Sequence, residues 1–194
     1  AKKLGVPGEE AFTGKGISHC PTCDAPFFKN KAVAVIGGGN AGLEAALDMT
    51  KYASRIYLLE FKPHLMGDEC FRERISQHSQ IEVITNAEVK EIKGDQFVRG
   101  LVYQKRDSGE IKEIAVEGVF IEIGSVPNSH LVANVVELNK EGEIKIDSRN
   151  RTSVLNIFAA GDVTDISHKQ IIIAAGEGAK AALNAYEYLQ NSNL

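Results

Sequence analysis

The stretch that decides the fold is AVAVIGGGNAG, residues 32–42. Its first five residues form a short apolar run rich in β-branched side chains, which predicts a buried strand. Three glycines end the run, and residues 41–52 then carry apolar side chains at helical spacing. A second buried strand over 55–60 completes a parallel βαβ unit with a right-handed crossover. This order of elements is typical of nucleotide-binding folds.

The glycines fit the pattern G-x-G-x-x-G and stand between a strand and a helix, where that pattern requires them. The first would permit the tight turn, the second would let the backbone approach a pyrophosphate, and the third would let helix and strand pack closely. Free N–H groups at the helix start would bind the anion. The alternative is a glycine-rich turn without a ligand. The residues predicted to contact a dinucleotide are Gly37, Gly38, Gly39, Asn40, Ala41 and Gly42.

Glu60 ends the second strand, close to the position about 20 residues beyond the glycines where an acidic residue is expected. Its carboxylate would accept hydrogen bonds from the adenosine ribose and repel a 2′-phosphate. Phe61 and Lys62 follow, and no pair of arginines stands beside Glu60, so the sequence predicts NADH in preference to NADPH. The alternative is a solvated glutamate at a strand end.

The spacing of apolar residues changes after this unit. A helix over 68–77 and a third parallel strand over 81–84 are predicted first. Polar and apolar residues then alternate in three segments, which predicts an antiparallel meander: 87–93, 98–104 and 113–117. A buried strand over 119–123 follows, and a loop over 124–128 ends it.

The two ends of the chain carry weaker patterns. Residues 1–30 are rich in glycine, proline and charge, and we expect at most one short helix there, near Cys23. The last third predicts strands over 143–146 and 157–160 and a helix over 171–188. These elements alone would bury too little surface for an independent domain.

Composition limits the classes of function. The 194 residues are 43% hydrophobic and 25% charged, which is typical of a soluble α/β protein with a sizeable core. The net charge is −4 with the two signs interleaved, so neither nucleic acid nor an anionic membrane is an expected partner. No apolar run approaches the roughly 20 residues of a membrane span, and residues 1–5, AKKLG, do not form the apolar h-region of a signal peptide. We expect a cytoplasmic protein.

Cys20 and Cys23 form a Cys-x-x-Cys pair that brings two sulfurs within disulfide reach. At a helix start, such a pair yields a thiolate that exchanges with other disulfides. The alternatives are half of a zinc site and two buried structural thiols, but zinc normally needs four ligands and only His19 and the single Cys70 remain as candidates. No metal site is therefore predicted. Asp24 would either move a proton to a leaving thiolate, or serve as a helix N-cap or as a negative charge at the helix N-terminus.

Segments across the whole chain resemble the low-molecular-weight thioredoxin reductases, a family of flavin disulfide oxidoreductases. They are HCPTCD at 19–24, GGGNAG at 37–42, GSVPN at 124–128 and FAAGDV at 158–163. Within that family, other segments are most similar to the flavoprotein component of alkyl hydroperoxide reductase: LLEF at 58–61, SGE at 108–110, HKQ at 168–170 and AAGEGA at 174–179.

The resemblance implies electron flow from reduced nicotinamide to FAD, then to the Cys20–Cys23 disulfide, then to a thioredoxin-like or peroxiredoxin-type disulfide protein. It implies that Cys23 faces the flavin, that Cys20 attacks the partner, and that Asp24 is the acid/base. The family is usually dimeric, so a homodimer is expected.

The resemblance also implies cofactor contacts in the last third of the chain. Asp162, next to Gly161, would bind the ribitol of FAD, and the turn Lys169-Gln170-Ile171 would lie at the isoalloxazine. Gly124 would contact a cofactor from the loop after the last parallel strand.

The expected fold is α/β: a Rossmann-like three-layer parallel sheet with an antiparallel β-meander, plus an incomplete FAD domain. We expect an inter-domain linker over 1–15, an NAD(P)H-binding domain with the cysteine pair over 16–128, and the C-terminal segment of a FAD-binding domain over 129–194. The family carries another G-x-G-x-x-G unit, upstream, that binds FAD, and no second such unit occurs here. The FAD site is therefore expected to be incomplete, and the chain to be one part of a longer or divided flavoprotein, inactive by itself.

Overall fold

Two kinds of β-sheet organise the first of the chain's two units, Ala1–Ser125, and the second unit begins at Val126. The computed structural model describes residues 1–191. The strands of the first unit are β1 (Ile17–Ser18), β2 (Ala32–Ile36), β3 (Arg55–Leu59), β4 (Ile81–Ile84), β5 (Ala87–Gly94), β6 (Val98–Lys105), β7 (Ile111–Ala115) and β8 (Gly118–Ile121). Its helices are α1 (Glu9–Phe12), α2 (Pro21–Asp24), α3 (Asn40–Met49) and α4 (Glu69–Ser76), with a 3-10 turn over Ala25–Phe28.

Five parallel strands form the larger sheet in the order β1-β8-β2-β3-β4. Strand β2 is central and apolar, and its residues from Val33 to Ile36 are all buried. The chain leaves β2 through α3 toward β3 on one side, and β8 returns to pair with β2 on the other. The carboxyl end of β2 is thus a topological switch point, the place where open α/β sheets bind ligands.

Two apolar cores cover the faces of this sheet. One contains Ile36 together with Ile92 and Leu101 of the antiparallel sheet β5-β6-β7. The other packs Leu43 of α3 against the opposite face, on Leu58. Each such side chain contributes about 1.5–3 kcal/mol on burial. The predicted three-layer Rossmann-like fold with a β-meander is confirmed.

The N-terminal segment holds more structure than expected. Besides α2 near Cys23, it contains α1 and β1, so the expectation of at most one short helix is wrong. The buried Glu9 side chain accepts hydrogen bonds from the N–H groups of Leu4 (2.9 Å) and Gly5 (2.7 Å). Elements of two to four residues carry no periodicity, and long-range pairing such as Ile17 with Val119 creates them.

The second unit, described over residues 126–191, contains a 3-10 turn (His130–Val132) and a long helix α5 (Ile171–Asn191). The predicted helix is confirmed and extends to Asn191. The strands predicted over 143–146 and 157–160 are wrong, because these segments form only isolated bridges. Nearby side chains bind the backbone instead: Oδ1 of Asp147 accepts from the N–H groups of Arg149 and Arg151. Such local bonds compete with a ladder.

Within residues 1–191, none of the helices combines the length and the apolar character needed to cross a bilayer.

Candidate dinucleotide and disulfide sites

The three motif glycines each have a distinct steric role. Gly37 has a φ of +122°, and a Cβ there would lie 2.3 Å from the carbonyl oxygen of Glu122. A Cβ on Gly42 would lie 1.8 Å from the carbonyl oxygen of Gly37, so helix and turn contact each other directly. A Cβ on Gly39 would meet nothing within 4 Å. The turn and the close packing are as the sequence predicts, and the backbone at Gly39 is open to a ligand.

The segment after β3 holds the glycine loop in place. The carbonyl of Gly38 accepts hydrogen bonds from the N–H groups of Met66 (2.7 Å) and Gly67 (2.9 Å). Asn40 and Asp68 are joined by two hydrogen bonds. The Asp68 N–H donates to Oδ1 of Asn40 (2.7 Å), and Nδ2 of Asn40 donates to the Asp68 carboxylate (3.0 Å). The Asn40 side chain, predicted to be at the cofactor, therefore also fixes the start of α3. The sequence did not reveal Met66, Gly67 and Asp68 as hydrogen-bond partners of the glycine loop.

Glu60 is 7% exposed, so the alternative of a solvated strand-end glutamate is wrong. One carboxylate oxygen accepts from the N–H of Gly38 at 2.5 Å, and the other from the N–H of Lys62 at 2.8 Å. A carboxylate offers about four acceptor positions, so capacity remains for hydroxyl donors of a ligand.

Phe61, which is 49% exposed, lies under an arginine that the local sequence does not reveal. The guanidinium of Arg106 is 3.8 Å from the Phe61 ring centroid, and its Nη1 donates to the Phe61 carbonyl at 3.2 Å. This cation–π contact joins residues 45 positions apart. Arg106 is thus an arginine next to the Glu60–Phe61 segment, although none of the sequence neighbours of Glu60 is an arginine.

The glycine loop and Glu60 line a cavity of about 820 Å³, within the usual range for small-molecule sites. Its other walls are the N-terminal residues 4–7, the neighbours of Glu60 from Leu59 to Lys62, the first residues of β5, and the segment from Glu122 to Gly124. Open backbone at Gly39 and a helix N-terminus at Asn40 suit a pyrophosphate, and the buried Glu60 suits a ribose. The backbone N–H groups and the carboxylate that line this cavity therefore fit a dinucleotide.

Glu122 is a charged group in this cavity that sequence reasoning missed. It directly follows β8, and its side chain is half-buried. No hydrogen-bond donor among residues 1–191 reaches its buried Oε1. Burial raises the pKa of Glu122 to about 7. The signal available in the sequence was an isolated acid at the end of an otherwise apolar strand.

Cys20 and Cys23 form a disulfide with their Cα atoms 5.3 Å apart. Pro21 is the first residue of α2, as predicted, and the N–H groups of Cys23 and Asp24 both donate to the Cys20 carbonyl at 3.1 Å. Cys23 is exposed and Cys20 half-buried, so the alternative of two buried structural thiols is wrong. Among the residues that the structure describes, no group of three or more His, Cys, Asp or Glu side chains could hold a metal ion.

The disulfide is attached to the same edge of the parallel sheet as the glycine loop. Ser18, the last residue of β1, pairs with Phe120 of β8, and its Oγ accepts from the N–H of Cys20 at 3.0 Å. The Nδ1 of His19 lies 3.2 Å from the Ile121 carbonyl. Because β1, β8 and β2 are parallel, the cysteines and the glycines both follow the carboxyl ends of their strands.

Asp24, the residue after Cys23, lines a second cavity, of about 530 Å³. It makes no capping hydrogen bond to the 3-10 turn that follows it, so the capping alternative is not what the structure shows. Asp24 does lie in the first turn of α2, as the alternative of a charge at the helix N-terminus requires. The exposed Phe27 and Phe97 line the same cavity.

In the second unit, Lys169 connects two of the segments predicted to contact FAD. Its ammonium group donates to the carbonyls of Asp162 (3.1 Å) and Thr164, and it pairs with Glu143 at 2.9 Å. This pairing lowers the pKa of Glu143. Gly161, with a φ of +79°, makes the turn before the exposed Asp162. Gln170 and Ile171 lie at the start of α5.

A dinucleotide-type α/β domain with a disulfide at the same sheet edge defines a class: proteins that combine a pyridine nucleotide with disulfide chemistry. The chain belongs to the pyridine nucleotide-disulphide oxidoreductase family, whose pattern matches residues 1–185.

Two relatives illustrate the similarity in sequence. The chain is 49% identical over 189 residues to the F component of the alkyl hydroperoxide reductase of Pseudomonas aeruginosa, covering 97% of this chain and 36% of that protein. It is 47% identical over 188 residues to a protein of Bacillus subtilis named NADH dehydrogenase, covering 97% of this chain and 37% of that protein. The chain thus spans little more than a third of these relatives.

Solved structures agree on the family. The thioredoxin reductase of Streptococcus pyogenes superposes with a TM-score of 0.91 at 34% identity, over 97% of this chain and 62% of that one. The thioredoxin reductase of T. acidophilum gives 0.72 at 43% identity, over 98% of this chain and 63% of that one. The resemblance stated from the sequence is therefore confirmed.

Proposed function

We propose that this chain is the dinucleotide-binding and disulfide-bearing part of a flavin-dependent disulfide reductase. The observation that carries the proposal is the attachment of the glycine loop and the Cys20–Cys23 disulfide to the same edge of one parallel sheet. Electrons would pass from reduced nicotinamide to FAD, then to this disulfide, then to a thioredoxin-like or peroxiredoxin-type protein. Bound FAD supplies the two-electron relay between nicotinamide and sulfur.

The cysteine pair would act by thiol–disulfide exchange. Two electrons and two protons break the Cys20–Cys23 bond and form two thiols. The Cys20 thiol gives its proton to the Asp24 carboxylate, and the resulting thiolate attacks the partner's disulfide. A mixed disulfide forms, and the released partner thiolate takes that proton back from Asp24. Cys23 then loses its proton and attacks the Cys20 sulfur, which restores the internal disulfide, and the second partner sulfur leaves and takes up a proton to become a thiol.

The surroundings of the disulfide support a protein as the electron acceptor. Phe27 is 72% exposed and lines, with Phe97, the cavity that contains Asp24, the residue after Cys23. Exposed aromatic side chains around a reactive group are typical of a protein docking site. The names of the sequence relatives and structural neighbours support partners of the peroxiredoxin and thioredoxin type.

NADH is the proposed electron donor, in preference to NADPH. The buried carboxylate of Glu60 would accept hydrogen bonds from the adenosine ribose, and its charge would oppose a 2′-phosphate. The Gly38 and Lys62 N–H groups keep that carboxylate in position.

The second unit is proposed to be the C-terminal segment of a FAD-binding domain, over residues 129–194, in which Asp162 and the turn from Lys169 to Ile171 hold the flavin. In the described part of α5 only Ala181 is buried, whereas Ile171 is 89% exposed. Because α5 exposes so many apolar side chains, we expect the rest of its domain to cover it. Residues 16–128 would then be the NAD(P)H domain and 1–15 the linker of a complete protein, which we propose to be a cytoplasmic homodimer.

A second candidate is a non-catalytic dinucleotide-binding module. The dinucleotide cavity alone is consistent with it, but such a module has no use for a disulfide beside its nucleotide site.

The deciding experiment adds NADH anaerobically to the pure chain, with and without FAD, and follows flavin absorbance and the thiol titre of Cys20 and Cys23. We expect NADH to bind while neither flavin nor thiols respond, because residues 1–194 contain no second G-x-G-x-x-G unit that could hold the FAD pyrophosphate. A complete protein carrying the same residues should yield two new thiols, and its Cys20→Ser variant none. Two thiols from the chain alone would show that its FAD site is sufficient, and no NADH binding would refute the dinucleotide site.

A further inference from the structure

The backbone of Glu122 is fixed at the switch point of the sheet. Its N–H donates to the Ile36 carbonyl at 2.8 Å, and Ile36 pairs with Ile121 across the β2–β8 ladder. A Cβ on Gly37 would collide with the Glu122 carbonyl, so the glycine loop and the end of β8 lie directly against each other. The Glu122 side chain lines the same cavity as that loop.

The carboxyl group of Glu122 lacks what a buried carboxyl group needs. Its Oε1 is shielded from solvent, and within the described part of the chain nothing donates a hydrogen bond to it. Buried polar groups are almost always paired, and each exception calls for an explanation. A carboxyl group that lines a ligand cavity and has no donor is explained if the ligand brings the donor.

Glu60 and Glu122, two of the three glutamates that line the cavity, lie on opposite sides of the glycine loop. Glu60 follows β3 and Glu122 follows β8, and these strands flank β2. A dinucleotide with its pyrophosphate at the Gly39 backbone and its adenosine ribose at Glu60 extends its nicotinamide half across the end of β8.

We infer that Glu122 is a specificity-determining residue of the dinucleotide site, whose carboxyl group accepts a hydrogen bond from a hydroxyl or amide donor on the nicotinamide half. This inference rests on the proposed binding of a dinucleotide and assigns that site a residue on its nicotinamide side.

The charge of Glu122 gives this contact a second consequence. The oxidised nicotinamide ring is positive and the reduced ring is neutral, so the carboxylate favours NAD⁺ and the neutral acid does not. Because burial alone sets the shift, with a pKa of about 7, this preference should develop between pH 6 and pH 8. The other ionisable groups that line the cavity or contact the same strand end are Lys2, His19, Glu60, Lys62, Glu88 and Lys90.

The test measures the affinities of the full chain for NADH, NAD⁺ and ADP-ribose, which lacks the nicotinamide ring, by calorimetry. Glu122→Leu should weaken NADH about tenfold and leave ADP-ribose within about twofold, since a hydrogen bond to a charged group is lost. Glu122→Gln keeps an acceptor oxygen, so NADH should still bind, but the change in the NAD⁺/NADH affinity ratio between pH 6 and pH 8 should disappear. Glu117→Leu, an exposed glutamate at the other end of β8, is the control.

The possible failures are distinguishable. If the wild-type chain binds neither NADH nor ADP-ribose, the proposed function fails and the inference with it. If both ligands bind and Glu122→Leu affects neither, or weakens both equally, only the inference is overturned. If Glu122→Leu does not fold, the pH series with Glu122→Gln decides: an unchanged pH dependence overturns the inference.

Discussion

The carboxylate of Glu60 accepts a hydrogen bond from the backbone N–H of Gly38 across a sequence separation of 22 residues. The proposed ribose-binding residue and the phosphate-binding loop are therefore one hydrogen-bonded unit. A change at Glu60 should alter ligand recognition and loop stability together.

Glu60→Ala should weaken NADH binding at least tenfold and lower the free energy of unfolding by about 1–3 kcal/mol, because the N–H groups of Gly38 and Lys62 lose their acceptor. Calorimetry with NADH and urea unfolding measure the two effects. Glu44→Ala, an exposed glutamate on α3, should change neither. Full NADH affinity in Glu60→Ala would contradict the assigned role.

The glycines allow a matched pair of substitutions. Gly42→Ala should destabilise the protein by about 3 kcal/mol or more, since its Cβ would lie 1.8 Å from the Gly37 carbonyl oxygen. Gly39→Ala should fold, because its φ of −84° is ordinary and its Cβ meets nothing, yet it should bind NADH at least tenfold more weakly. Thermal melting and NADH titration of both variants separate packing from binding. Equal losses of stability would contradict the steric difference between the two glycines, and unchanged NADH affinity in Gly39→Ala would show that the open space at Gly39 has no role in binding.

The disulfide prediction concerns a complete protein that carries these residues. Cys20→Ser and Cys23→Ser should each abolish NADH-dependent reduction of a partner disulfide, because exchange needs both sulfurs. NADH affinity should stay within about twofold, since neither cysteine lines the dinucleotide cavity. Cys70→Ser, at the exposed third cysteine, should retain activity. Steady-state assays with a thioredoxin-like substrate measure this, and residual turnover in either variant would point to another electron path.

The free energy of unfolding should vary with pH because of the raised pKa of Glu122. Its pKa is raised from 4.5 to about 7 in the folded chain, so the folded state holds the proton more tightly than the unfolded state. The stability that the protonated Glu122 carboxyl group contributes to the folded state is fully present below pH 4.5 and is lost as the pH rises through 7. After discounting for partial solvent exposure, Glu122→Gln should be more stable than the wild type by about 1–2 kcal/mol at pH 8 and nearly equal to it at pH 4.5. Urea unfolding of both proteins across this range would show it, and a constant difference at every pH would contradict it.

The parallel sheet and the glycine loop could be predicted because their signals are local. An apolar run, three glycines and a helical pattern stand next to one another, and Glu60 lies one strand further on. Arg106 over Phe61 could not be predicted, because folding alone brings these distant residues together. The strand predicted over 143–146 is wrong for a different reason. Side chains there bind the backbone in place of a neighbouring strand: Oδ1 of Asn139 accepts hydrogen bonds from the N–H groups of Glu141 and Glu143.

Both backbone polar groups of Gly38 are already engaged: the N–H with Glu60, and the carbonyl with Met66 and Gly67. The peptide that precedes Gly39 therefore loses its rotational freedom when the protein folds, not when a ligand arrives. A nucleotide that binds here meets a rigid receptor, and little of its binding free energy is spent on loop ordering.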